Sequence, residues 1–147
     1  SGTVLAEQGR PFNPRISGDW NNDAVSGDRP DCIGPAALHA GERSIDRWFD
    51  TSRFKAPQAA GPITQWFGNA GRNILLDPGE YKWDISLLKR FKVTRDGDQL
   101  EFRLQFFNAF NHTNFERPGT TLGSSTFGRI SNAGAAREIE IALKYSF

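Results

Sequence analysis

The sequence lacks the residues and runs on which several protein classes depend. Cys32 is its only cysteine, which excludes an internal disulfide framework and a cysteine cluster for a metal. No run of about 18 apolar residues occurs, which excludes a transmembrane helix, whereas transmembrane strands alternate in polarity and need no such run. The 18 basic and 17 acidic residues nearly balance, so charge favours no nucleic-acid partner. Any partner must be inferred from the pattern of apolar residues.

The chain also lacks methionine, and it begins at Ser1-Gly2 without the charged region and apolar segment of a signal peptide. We therefore expect a processed, truncated or excised chain. The 12 Phe, four Trp and two Tyr residues are accompanied by 15 Gly and eight Pro. Aromatic residues favour strands, and Gly and Pro favour turns, so this composition predicts β structure joined by long loops.

Residues for catalysis or cofactor binding are scarce. His39 and His112 are the only histidines, and neither lies in a metal motif such as His-Glu-x-x-His. Cys32 lies in a polar stretch without a nearby His, so a nucleophilic role has no support. No glycine-rich phosphate-binding loop occurs. We expect neither enzymatic activity nor a cofactor.

Four aspartates among Asn and Gly residues are weak candidates for calcium ligands, because calcium prefers hard oxygen ligands. They lack the spacing of an EF-hand loop, so turns exposed to solvent are the favoured interpretation. These residues are Asp19, Asp23, Asp28 and Asp31.

The chain changes from a turn-rich half to a strand-rich half near residue 79. Apolar residues alternate with polar ones in the second half, which is the period of a β-strand. The last strand shows the alternation without error, with Ile139, Ile141, Leu143, Tyr145 and Phe147 on one face. The predicted order is a strand end at 1–8, a long loop at 9–79, strands at 81–94 and 99–110 joined by a turn at 95–98, a loop at 111–136, and a terminal strand at 137–147.

An Asp-Gly pair between alternating segments is a strong signal for a two-residue hairpin loop, because both central residues need positive φ. Asp96-Gly97 is such a pair. It predicts a register in which Phe91 faces Phe102 and Lys92 faces Glu101, with both apolar faces on one side.

The strands suit a bilayer. A strand tilted by about 45° crosses the hydrocarbon layer in roughly 9–11 residues, and aromatic residues lie near the predicted strand ends, as interfacial girdles require. A soluble sandwich would show the same alternation. Loop lengths favour the membrane, since barrels of the outer membrane have short turns at one end and long loops at the other. We expect an all-β fold of antiparallel strands with long loops, part of a transmembrane β-barrel, or an edge-paired β assembly if the chain stands alone.

Several motifs carry a family resemblance. They are Asn69-Ala70-Gly71-Arg72-Asn73, Pro78-Gly79, Trp83-Asp84-Ile85-Ser86-Leu87, the run from Phe106 to Phe115, Phe127-Gly128-Arg129-Ile130, and Arg137-Glu138-Ile139 through Lys144-Tyr145-Ser146-Phe147. Together they resemble the carboxy-terminal region of TonB-dependent outer-membrane receptors, most closely those with a carboxypeptidase-regulatory-like domain ahead of the barrel. The alternating residues before Phe147 resemble the signal that the barrel-assembly machinery recognises.

The resemblance implies a bacterial outer-membrane location, with the Asp96-Gly97 turn in the periplasm and the regions 9–79 and 111–136 outside the cell. It implies contact with outer-membrane lipid, with the assembly machinery and with the rest of a larger barrel. The plug and the energy-coupling box of such receptors are not in these residues. The chain by itself is therefore expected not to transport the large nutrient of such a receptor.

Two other functions fit the sequence. Open strand edges invite pairing between copies, as in an extracellular β-rich fibre or structural protein. A secreted carbohydrate-binding β module would use aromatic residues of the loops, which are equally suited to packing those loops. The candidate contact residues are Trp20, Trp48, Phe49, Trp66 and Phe67.

Overall fold

A computed structural model describes residues 1–57, 67–93 and 97–147. The strands in these residues, in chain order, are β1 (Gly2–Glu7), β2 (Pro11–Phe12), β3 (Arg15–Ile16), β4 (Asp31–Cys32), β5 (Phe54–Lys55), β6 (Leu75–Leu76), β7 (Glu80–Lys92), β8 (Gln99–Phe107), β9 (Thr121–Leu122) and β10 (Glu138–Ser146). Single 3₁₀ turns lie at Ala40–Glu42 and Thr51–Arg53. In the described part of the chain, no helix has the length and apolar character needed to cross a membrane.

The chain divides into two compact units. The strand unit comprises Ser1–Gln8, Gly79–Asn114 and Gly134–Phe147. The loop unit comprises Gly9–Pro78 and Phe115–Ala133. The prediction of an all-β fold built mainly from antiparallel strands is confirmed.

The strand unit is a four-stranded antiparallel sheet in the order β1-β7-β8-β10. Its strands lie close to the predicted ranges, with one difference at the end of β8. The sequence extends this strand to residue 110, whereas β8 ends at Phe107. Asn108 follows with a φ of +50°, and a left-handed residue cannot continue a strand.

The predicted hairpin register is wrong by two residues. Phe91 lies opposite Leu100 instead of Phe102, and Lys92 lies opposite Gln99 instead of Glu101. A slip of one residue would turn a strand over, but a slip of two keeps every side chain on its face. The hydrophobic pattern therefore cannot distinguish these two registers. Of the predicted turn residues, Asp96 lies outside the described residues, and Gly97 has a φ of +101°.

The observed register gives Glu101 a different partner from the one predicted. Arg90 lies opposite Glu101, and its Nε is 2.8 Å from Glu101 Oε2. Arg103 contacts the second carboxylate oxygen at 3.1 Å. One carboxylate is thus shared by two guanidinium groups, whereas the predicted register places Lys92 opposite Glu101.

The loop unit has its own hydrophobic core. Phe49 is 1% exposed and makes edge-to-face contacts with Phe54 and Phe127, at ring-centroid distances of 5.7 and 5.2 Å. The buried apolar residues of this core are Phe12, Ala36, Phe49, Phe54, Ala70 and Leu75. A stretch that reads as turn-rich loop in the sequence is therefore a packed structure.

Two separate stretches of the chain form the loop unit. β3 pairs with β9 in parallel, an exception to the antiparallel pattern. The Trp48 backbone N–H donates to the Gly128 carbonyl at 2.8 Å, and Arg129 forms an ion pair with Asp46 at 2.7 Å. Gly128 has a φ of +77°, and a Cβ there would lie 2.4 Å from the Thr51 methyl carbon, so only glycine fits.

Candidate membrane-spanning surface

One face of the strand unit is apolar across all four strands. Because residues opposite each other in the ladder share a face, the register aligns Ile85, Phe106 and Ile139 in one row and Leu87, Leu104 and Ile141 in the next. We call this the apolar face; its members are Gly2, Val4, Ala6, Tyr81, Trp83, Ile85, Leu87, Lys89, Phe91, Leu100, Phe102, Leu104, Phe106, Ile139, Ile141, Leu143 and Tyr145.

The apolar face is exposed. Ile141 and Leu143 are 69% and 67% exposed, and Leu87 is 54% exposed. A soluble β-sandwich would bury such a face against a second sheet. A strand that faces lipid presents these side chains outward. The exposure therefore favours the membrane interpretation of the alternation.

The opposite face of the same sheet is polar. Arg90 and Arg103 share Glu101 there, and Lys82 contacts Asp84 at 3.4 Å. Lys144 lies opposite Glu101 on the other neighbouring strand. This division of one sheet into an apolar and a charged face matches a barrel wall between lipid and an aqueous interior.

Aromatic side chains mark both ends of the apolar face. At one end, Trp83 contacts Tyr81 and Phe110 edge to face, with ring centroids 6.3 and 5.6 Å apart. At the other end, Tyr145 and Phe147 lie 6.0 Å apart, and the Tyr145 hydroxyl donates to Asp98 at 2.5 Å. Aromatic rings with a polar group at one edge suit the two membrane boundaries.

The structure describes all five residues of the predicted terminal signal. Ile139, Ile141, Leu143 and Tyr145 lie on the apolar face of β10, which is an edge strand of the sheet, and Phe147 follows β10. Their alternate spacing therefore becomes a single apolar row along an edge. Their recognition by the assembly machinery stays a prediction.

A network of three asparagines closes the loop end of the strands. Asn108 is 2% exposed; its amide donates to the carbonyls of His112 and Ala135 at 2.8 and 3.2 Å. Asn111 Oδ1 accepts from the Arg137 backbone N–H at 3.0 Å. Asn114 Oδ1 accepts from the Tyr81 backbone N–H at 2.8 Å. The network ties together the ends of β7, β8 and β10.

The structural role of these asparagines was not predicted from the sequence, although their spacing of three residues is visible there. Asn tolerates left-handed φ better than most residues, and Asn108 and Asn111 have φ values of +50° and +52°. Three Asn residues at equal spacing directly after a strand were the available signal. The sequence predicts that residues 108–110 end a strand and that residues 111–114 begin a loop, and it assigns no partner to the amides.

A family model for the outer membrane beta barrel domain matches residues 1–140. The chain belongs to this family. Its strand unit is accordingly part of a transmembrane β-barrel, and its location is the bacterial outer membrane. An extracellular location receives no support from the match. No curated protein and no solved structure matches the chain.

The loop aromatics of this outer-membrane barrel chain differ in exposure. Phe49 is a core residue, so it packs the loop and does not present a contact surface. Trp48 is partly buried; its Nε1 donates to the Leu76 carbonyl at 2.7 Å, and the Arg43 guanidinium lies 5.2 Å from its ring. Trp20 Nε1 donates to the Ser17 carbonyl. Phe67 is 65% exposed, and Trp66 lies outside the described residues.

Each of the four candidate calcium ligands accepts a hydrogen bond from another group of the chain. Asp19 accepts from the backbone N–H groups of Asp23 and Ala24 at 3.0 and 2.8 Å. Asp28 accepts from the Trp20 backbone, and Asp31 accepts from the Asn69 backbone. Among the described residues, no group of three or more His, Cys, Asp or Glu side chains is placed to hold a metal ion.

Proposed function

We propose that the chain is the carboxy-terminal barrel segment of a TonB-dependent outer-membrane receptor for a large nutrient. The observation that carries the proposal is the folded loop unit. Its two stretches, Gly9–Pro78 and Phe115–Ala133, share a buried core instead of acting as simple connections. A passive pore needs no such structure, whereas a receptor that captures a large solute needs a built surface outside the membrane.

The arrangement of connections supports the same proposal. Both stretches of the loop unit connect strand ends at one end of the sheet, and β7 and β8 are joined at the other end by residues 93–98. Short turns on the periplasmic side and long external loops are typical of outer-membrane barrels. The motifs that resemble TonB-dependent receptors extend from Asn69 to Phe147 and imply the same orientation of turns and loops.

In this proposal the segment forms part of a wall and part of a ligand-binding exterior, and it is not an enzyme. The remaining barrel strands, the plug and the coupling box are supplied by other residues of the receptor. Outer-membrane lipid and the barrel-assembly machinery are its other partners. The segment alone does not transport.

Binding to TonB tests the proposal. The intact protein that contains these strands should bind the purified carboxy-terminal domain of TonB in detergent. A variant without its coupling box is the matched control and should not bind. If the intact protein lacks a plug, or if it binds neither the TonB domain nor a large nutrient, the barrel has another role.

A second candidate function is self-assembly through strand edges. In the described sheet, β1 and β10 each have one neighbour, so each presents one open edge. Open edges invite pairing with another chain. Negative-stain microscopy of detergent-free chain should show fibres or closed oligomers if this function is real, and dispersed monomers would exclude it.

A further inference from the structure

Lys89 breaks the apolar face of the strand unit. It lies directly opposite Phe102, which in turn lies opposite Leu143, so its row is otherwise apolar. It is the one charged residue among the described residues of that face. A charged side chain that faces lipid is destabilising, and the effect falls toward the membrane boundaries. Lys89 therefore needs an anion, or access to the boundary, or both.

The Lys89 side chain extends toward the nearer end of the sheet. Its Nζ lies 5.8 Å from the centroid of the Phe91 ring, and Phe91 is the last aromatic residue of β7. Phe91 shares its row with Leu100 and Tyr145, whose hydroxyl reaches Asp98. Long basic side chains place their charge at the membrane boundary in this way while their carbon chains stay in the apolar layer.

No carboxylate in the described chain neutralises Lys89. Arg90 and Arg103 share Glu101, and Lys82 has Asp84, but all of these lie on the polar face. Among the described residues of the connection between β7 and β8, the acidic group is Asp98, which accepts the Tyr145 hydroxyl and forms no ion pair with Lys89. At the boundary of a membrane, the available anion is the phosphate of a lipid headgroup.

We infer that Lys89 binds the phosphate of an anionic phospholipid in the leaflet next to the turn between β7 and β8. The ammonium group supplies three N–H donors and a full charge, and the rings of Phe91 and Phe102 contact the acyl chains. The inference rests on the membrane placement of the apolar face and not on the receptor role. Failure of the TonB experiment would leave it standing.

A local fluorescent probe tests this site in the intact barrel protein. In a Cys32→Ser background, Leu100→Cys places a bimane label opposite Phe91 on the apolar face. Brominated phosphatidylglycerol and brominated phosphatidylcholine then report, by quenching, which lipid occupies this position. We expect phosphatidylglycerol to be preferred, and Lys89→Gln to reduce the preference about fivefold. Lys89→Arg should retain it.

Lys92→Gln is the matched control, because it removes the same charge near the same end of β7 but from the polar face. It should leave the lipid preference unchanged. An equal loss in both variants would mean a general effect of charge and would overturn the site. An unchanged preference in Lys89→Gln would also overturn it, and a changed oligomeric mass in that variant would assign Lys89 to a protein contact. Unheated gel mobility confirms that each variant is folded.

Discussion

At the scale of single residues, Asn108 has a large effect on the structure of the strand unit, because it combines a buried side chain with a positive φ. Its side chain accepts from the His112 backbone N–H at 3.0 Å and donates to the carbonyls of His112 and Ala135. Its own backbone N–H donates to Asp84 at 2.9 Å. One side chain thus satisfies backbone groups on both sides of the connection between β8 and β10.

Substitution of Asn108 should destabilise the strand unit. Because a buried polar group without a partner costs about 1–3 kcal/mol and alanine is strained at positive φ, we expect Asn108→Ala to lower the free energy of unfolding by roughly 2–4 kcal/mol. Asn108→Gly relieves the strain but not the lost hydrogen bonds, so its effect should be smaller. Urea unfolding of the intact barrel in detergent measures both, and full stability in Asn108→Gly would contradict a role for the amide.

We expect Asp50 to make the stability of the loop unit depend on pH. The Ser52 hydroxyl donates to Asp50 at 2.7 Å and is the main cause that lowers the pKa of this carboxyl, with further contributions from the Ser52 backbone, Arg53 and Arg47. A carboxyl whose pKa is lower in the folded state stabilises that state above the unfolded pKa. This contribution is lost as the pH falls through the folded pKa.

We therefore expect the loop unit to lose stability as the pH falls below about 4, the usual range of an Asp side chain. Asp50→Asn should weaken this dependence, and Ser52→Ala should weaken it partly by raising the pKa of Asp50. Tryptophan fluorescence during urea unfolding at pH 6 and pH 3.5 measures the difference. An equal loss of stability between pH 6 and pH 3.5 in the wild type and in Asp50→Asn would show that other groups cause the pH dependence.

At the scale of secondary-structure elements, the register of β7 and β8 decides which charges meet. Directly opposite residues have Cβ atoms about 4.5–5.5 Å apart, whereas diagonal neighbours are about 7–8 Å apart. In a Cys32→Ser background, we expect Arg90→Cys with Glu101→Cys to form a disulfide readily, because these residues are opposite. Lys92→Cys with Glu101→Cys should not. Gel mobility after mild oxidation distinguishes them, and the reverse result would restore the register predicted from the sequence.

The strands illustrate what a sequence pattern can predict. Alternation from Tyr81 onward and from Ile139 onward assigns each side chain to a face, because the period of a strand is two. The same pattern cannot detect a shift of two residues in the register, so the prediction that Lys92 lies opposite Glu101 was wrong. The end of β8 was also missed, because it depends on the left-handed Asn108 and on hydrogen bonds to residues far along the chain.

At the scale of the whole molecule, the loop unit was the least predictable part. Phe12, Phe49, Phe54 and Phe127 meet in one core, but they show no common period and come from distant positions. A hydrophobic pattern reveals an element only when apolar residues repeat within it. Here the apolar residues are brought together by short strand pairs and turns. The turn-rich composition of these stretches therefore predicted a loop and gave no sign of a core.

The core of the loop unit should be sensitive to truncation. Phe49 is almost fully buried against three other rings, so we expect Phe49→Ala to cost roughly 3–5 kcal/mol and to unfold the loop unit. Phe67→Ala, at an exposed position, should have little effect. Limited trypsin digestion of the intact barrel, with fragments identified by mass, measures this. New cleavage in Phe67→Ala alone would contradict the assignment of the core.

The divided origin of the loop unit limits how it can be exchanged between proteins. Phe127 comes from the second stretch, and it packs on Phe49 and Phe54 from the first. A chimeric barrel protein that inherits only the first stretch would receive a core with one ring missing. Recombination that carries the loop unit to a new barrel must therefore transfer both stretches together, with the β7–β8 hairpin either included or matched in length.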